Sequence, residues 1–95
     1  MAKSMTPREA WEAAERGEVK ILDLRTQVER RRYGAPPGAI PVSLGRHIAA
    51  PEPPPAVYLC QHAVRSKLTG RHGAPEVEGG FVAWVKADLP VEQVR

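Results

Sequence analysis

The sequence predicts an α/β domain built on a parallel sheet, on two observations. Short apolar, β-branched runs at residues 19–24 and 56–59 have the composition of buried strands. Two threonine-led capping boxes, Thr6-Pro7-Arg8-Glu9 and Thr26-Gln27-Val28-Glu29, start helices around the first of those runs. Strands that alternate with helices pack as parallel sheets.

The elements follow in chain order. Thr6 suits the N-cap of the first helix, Pro7 its first position and Glu9 the return contact. Ala10, Trp11 and Ala14 can form its buried stripe, and Gly17 ends it. Residues 19–24 read Val-Lys-Ile-Leu-Asp-Leu, a strand with Asp23 near its end and Arg25 just beyond. The second capping box begins a short helix that runs to about Tyr33 and stops at Gly34. Residues 40–44 suggest a short strand, which Pro41 places at an edge or a strand start. Four prolines between residues 51 and 55 exclude a regular helix and suggest an extended loop. Residues 56–59 form the next strand. Residues 66–69 suggest a single helical turn, Val77 a last strand, and residues 81–87 a last helix with Phe81, Trp84 and Val85 at spacings that can share a face. Residues 1–4 are expected to be a flexible leader and residues 1–95 a single domain.

Composition bounds the function. The 95 residues are 42% hydrophobic, enough for one core and unlike a disordered chain. Of the five aromatic residues, Trp11 and Trp84 are the largest and read as core anchors. The net charge of +3 owes much to Arg30, Arg31 and Arg32. That cluster reads first as the cationic end of a helix and second as a docking patch for an acidic partner. Without interleaved aromatic residues, nucleic acid is not an expected partner. Residues 1–5 carry no apolar run of the kind a signal peptide needs, and no stretch approaches the roughly 18 apolar residues of a membrane span. A cytoplasmic location is expected.

The chemistry centres on residues 57–66, Val-Tyr-Leu-Cys-Gln-His-Ala-Val-Arg-Ser. A buried strand ends in the chain's single cysteine, a short loop follows, and Arg65 comes next. Ligand sites in open α/β sheets lie at the carboxyl ends of strands. Four residues between Cys60 and Arg65 are enough to curl the backbone around the sulfur, with N–H groups pointing inward as in an anion nest. Such a curl, with a helix N-terminus and nearby cations, favours the thiolate, which is the nucleophile. Covalent sulfur transfer in two half-reactions would follow. A lone cysteine at a strand end is otherwise a packing residue. His62 could tune the thiolate or simply face solvent, and Gln61 is a polar loop residue without an assigned duty.

Over nearly its whole length the chain resembles the rhodanese family. Residues 21–26, Ile-Leu-Asp-Leu-Arg-Thr, resemble the family's first strand with its Asp-x-Arg signature. Residues 38–42, Gly-Ala-Ile-Pro-Val, resemble the turn that leads into a short strand. Residues 60–65 match the six-residue active-site loop. Residues 78–84, Glu-Gly-Gly-Phe-Val-Ala-Trp, followed by Leu89-Pro90-Val91, resemble the C-terminal signature. The resemblance implies about five parallel strands flanked by helices. It implies a persulfide carried on Cys60, a cradle of N–H groups from Gln61, His62, Ala63, Val64 and Arg65, and support from Asp23 and Arg25. Without such a role Asp23 is a turn cap and Arg25 half of a surface ion pair. The implied donor is thiosulfate or a protein persulfide. The acceptor is a thiol, cyanide or a protein, and no cofactor is required. The rhodanese-like cell-cycle phosphatases resemble this fold with a loop one residue longer, so the short loop points to sulfur rather than phosphate.

Three features depart from the family pattern: Ala63 where glycine is common, a short segment between Arg65 and Glu78, and residues 45–55 without the usual helix. They motivate the alternative of a rhodanese-like protein-binding module in which Cys60 is incidental. A metal site formed by Cys60 with His47, His62 or His72 is a third reading, disfavoured because one cysteine in a Cys-x-His spacing is poor for structural zinc.

Overall fold

Two threonines set the start of each helix in the first half of the chain. In the computed structural model, which describes residues 4–42, 55–61 and 75–95, helix α1 spans Pro7–Glu15 and helix α2 spans Gln27–Tyr33. Thr6 Oγ1 accepts from the Glu9 N–H at 3.1 Å while Glu9 Oε1 accepts from the Thr6 N–H at 2.9 Å. Thr26 and Glu29 repeat the exchange at 3.2 and 2.9 Å. Both capping boxes are as the sequence predicts. Helix α2 stops at Gly34, where φ is +84°. A Cβ on Gly34 would lie 2.5 Å from Val91 Cγ1 and 2.9 Å from the Glu92 carbonyl, so glycine is required by both conformation and space.

The sheet has five parallel strands: β1 (Ser4–Met5), β2 (Lys20–Asp23), β3 (Ile40–Pro41), β4 (Ala56–Leu59) and β5 (Glu76–Val77). Their order is β1-β5-β4-β2-β3, which puts β4 in the centre and proline-containing β3 at an edge. All four residues of β4 are buried, as a strand covered on both faces requires. Strand β1 was not expected. Ser4, placed by the sequence in a flexible leader, pairs with Glu76, and Met5 pairs with Val77. Residues 43–54 and 66–69, including the expected extended loop and helical turn, lie outside the described residues.

One face of the sheet packs Ile21, Val57, Leu59 and Val77 against Ala10 of α1 and against Phe81 and Trp84 of helix α3 (Gly80–Lys86). The other face presents Leu22, Leu24, Ala56 and Tyr58, with Val42 against them. Two details of the helix faces differ from expectation. The buried residues of α1 are Ala10 and Ala13, whereas Trp11 is half-buried and meets Trp84 edge-on, with ring centroids 5.9 Å apart. In α3, Phe81 and Trp84 are buried but Val85 faces solvent.

Candidate active site

The strand register aligns three of the expected residues, Asp23, Arg25 and Cys60. Asp23 of β2 is the partner of Leu59 in β4, and the Leu24 N–H donates to the Leu59 carbonyl at 2.8 Å. Asp23, Arg25 and Cys60 therefore leave adjacent strands at the same carboxyl edge of the sheet, where open α/β folds place their ligands. Cys60 is buried, with 1% of its surface exposed.

Asp23 and Arg25 form the centre of a buried polar cluster. Arg25 donates to the Asp23 carboxylate from Nε at 3.0 Å and from Nη2 at 2.8 Å, a two-pronged ion pair. The main-chain N–H of Arg25 also donates to Asp23 Oδ1 at 3.0 Å. The remaining guanidinium donors reach outward: Nη2 to the Gly34 carbonyl at 2.7 Å and Nη1 to Gln61 Oε1 at 3.1 Å. The guanidinium carbon lies 4.1 Å from the centroid of the Phe81 ring. One side chain thus ties the end of β2 to the end of α2, to the residue after Cys60 and to α3. Arg25 is not the surface ion pair that its position could equally have meant, since both side chains of the pair are fully buried.

Arg30 is the residue that sequence reasoning missed. It was grouped with Arg31 and Arg32 as a helix end, yet it turns inward from α2. Its Nε donates to Asp23 Oδ2 at 3.1 Å and its Nη1 to Gln27 Oε1 at 3.2 Å. Arg31 and Arg32 are exposed. Among the described residues one carboxylate therefore faces two guanidinium groups, a formal excess of one positive charge in the buried cluster. An excess of that sign attracts anions to this edge of the sheet.

The main chain at Cys60 is held by the start of α3. Gly79, the N-cap of α3, has no side chain to satisfy the orphan N–H groups of the first turn. Main-chain carbonyls do so instead: Phe81 N–H donates to the Cys60 carbonyl at 2.8 Å and Val82 N–H to the Gln61 carbonyl at 3.2 Å. Because a trans peptide sets N–H opposite C=O, the Gln61 N–H points away from α3. A curled N–H cradle needs that sense of direction at its first residue.

Gln61 is half-buried, while His62, Ala63, Val64 and Arg65 lie outside the described residues, as do His47 and His72 of the metal alternative. A cleft of about 260 Å³ lies elsewhere, near the amino end of β2, lined by Trp11, Glu15, Lys20, Pro37 and Ile40 among others. It includes none of the site residues. Among the described residues no helix is long and apolar enough to cross a membrane.

No family model matches the chain. A thiosulfate sulfurtransferase, GlpE, from Glaesserella parasuis is 29% identical over 99 residues, covering 93% of this chain and 91% of the relative. Among solved structures, a rhodanese-related protein from Thermoplasma volcanium superposes with a TM-score of 0.82 at 19% identity, over 97% of this chain and 99% of the other. A protein from Rhodopseudomonas palustris described as a possible tyrosine phosphatase superposes with a TM-score of 0.75 at 26% identity, over 96% of this chain and 85% of its own. The five-stranded parallel order, the cysteine at the end of its central strand and these likenesses agree: the chain has the fold of a small rhodanese-like domain.

Proposed function

We propose that the chain is a sulfurtransferase in which Cys60 carries sulfane sulfur as a persulfide. One observation carries the reading: Cys60 leaves the central strand beside a buried cluster with an excess positive charge, formed by Asp23, Arg25 and Arg30. The likeness to GlpE of Glaesserella parasuis supports thiosulfate as the donor. In the first half-reaction the Cys60 thiolate attacks the outer sulfur of thiosulfate. The new S–S bond forms as the bond to the sulfonate sulfur breaks, and sulfite leaves with the electron pair. In the second, an acceptor thiolate or cyanide attacks the terminal sulfur and the Cys60 thiolate is released. Both donor and persulfide are anionic, which suits a positively biased strand edge. In this reading the N–H groups of residues 61–65 hold the anion and the protein works in the cytoplasm.

Intact mass after incubation with thiosulfate, beside a Cys60→Ser control, tests the proposal. The expected result is a gain of one sulfur that cyanide or a thiol removes and that the control lacks. No gain, with Cys60 still open to alkylation, would leave a binding module as the better reading. The burial of Cys60 favours that second reading, since structural cysteines are buried and inert. Hydrolysis of an aryl phosphate that depends on Cys60 would point instead to phosphatase chemistry, the activity named for the Rhodopseudomonas palustris protein.

A further inference from the structure

We infer that the side chain of Gln61 is a positioning residue for Cys60, acting as a strut between the buried Arg25 guanidinium and the main chain that follows the sulfur. The inference rests on the sulfurtransferase reading for its consequence in turnover, but its geometry stands apart from that reading. Gln61 is held at two points. Its carbonyl accepts from the Val82 N–H at 3.2 Å, and its Oε1 accepts from Arg25 Nη1 at 3.1 Å. The Cys60 carbonyl, one residue earlier, accepts from the Phe81 N–H at 2.8 Å. The two main-chain bonds alone leave the residue able to pivot about them. The side-chain bond supplies a third point of attachment and fixes the direction of the Gln61 N–H.

The anchor at the far end is rigid. Arg25 is held by both oxygens of Asp23 and by the Gly34 carbonyl, and its face lies against Phe81. Its side chain is fully buried, so Nη1 has strong reason to keep an acceptor. Glutamine suits this end of the strut because its amide oxygen accepts without neutralising the excess positive charge. A carboxylate at residue 61 would keep the bond and cancel that excess. Methionine would keep the length and remove the strong acceptor.

The test uses the full chain with Gln61→Met and Gln61→Glu, measured far below each variant's melting transition. Two rates are read: sulfur uptake from thiosulfate by intact mass, and alkylation of Cys60 by iodoacetamide where the thiol is fully ionised. Loss of a hydrogen bond to a charged group predicts that Gln61→Met slows sulfur uptake about tenfold. The same loss speeds alkylation about tenfold, because the buried thiol opens to reagent more often. Gln61→Glu restores alkylation to within about twofold of the wild-type rate, since a carboxylate takes the Arg25 donor at least as well. Alkylation of Gln61→Met at the wild-type rate, or equal change in both variants, would overturn the inference. If the wild type takes up no sulfur, the sulfurtransferase reading fails, and the alkylation rates alone decide the role of Gln61.

Discussion

Among the described residues the Asp23 carboxylate accepts four hydrogen bonds, from the Arg25 main chain, from Arg25 Nε and Nη2, and from Arg30 Nε. Both arginines form an ion pair with this one carboxylate. Removing one partner of a buried ion pair costs far more than the pair itself contributes, because the remaining charge stays buried and uncompensated. Asp23→Asn is therefore expected to lower unfolding stability by about 3–5 kcal/mol, read from urea denaturation. A loss below about 1 kcal/mol would mean that water reaches the cluster and screens it. The positions of Asp23 and Arg25, near and just beyond the end of an apolar strand, were legible in the sequence, while a supporting role for them came only from the resemblance. Arg30 was not legible, for a physical reason. An amphipathic stripe tells which side of a helix faces inward, and α2 offers none: Val28 is 72% exposed and Tyr33 48% exposed. Among three consecutive arginines nothing local marks the one whose direction meets β2.

The helices were legible through their ends. Both capping boxes use the same residue types at the same spacing, and their chemistry is local enough to read directly. Glu9 makes one of them sensitive to acid. Its carboxyl is held below the ordinary value of 4.5, first by accepting the Thr6 main-chain N–H and then by the Thr6 side chain. A carboxyl lowered in the folded state stabilises above its unfolded value, and that contribution is lost as pH falls through the lower folded value. Glu9→Gln should thus lower the melting temperature slightly at neutral pH and match the wild type in acid, flattening the fall below 4.5. An unchanged acid slope would assign the acid sensitivity to other carboxylates, Glu18 among them, which Arg16 likewise lowers. At the other end of the chain, Gly79 has φ of +74°, and a Cβ there would lie 2.6 Å from Ala83 Cβ. Gly79→Ala is expected to cost about 1–2 kcal/mol from the backbone alone. Since α3 holds the Cys60 and Gln61 carbonyls, the variant should also slow sulfur uptake, which thermal melting and intact mass would read together. The element that escaped sequence reasoning is β1. Two residues show no period, and their pairing with β5 spans more than seventy positions of sequence.

At the scale of the whole molecule, β4 is shared by everything else. Val57 and Leu59 face the cluster that contains α1 and α3, while Ala56 and Tyr58 face the cluster on the opposite side. The strand that carries Cys60 is thus clamped from both faces and bonded to a neighbour along each edge. That arrangement was implied by likeness to a family more than by any single segment, because strand order is set by contacts between residues far apart. It predicts that damage to the core and damage to the site are separable. Val57 is fully buried in the larger cluster, and its apolar side chain forms no hydrogen bond with the polar network. Val57→Ala removes two methyl carbons and leaves a cavity, at a cost of about 2 kcal/mol. For a domain of this size that lowers the melting temperature by roughly 10 °C. Because one strand supports both clusters, unfolding should remain a single transition, seen together by tryptophan fluorescence and by circular dichroism. Below that transition the variant should take up sulfur at the wild-type rate, since Asp23, Arg25, Arg30 and Gln61 keep their partners. A slowed rate in fully folded Val57→Ala would mean that core packing sets the geometry at Cys60 as directly as the polar cluster does.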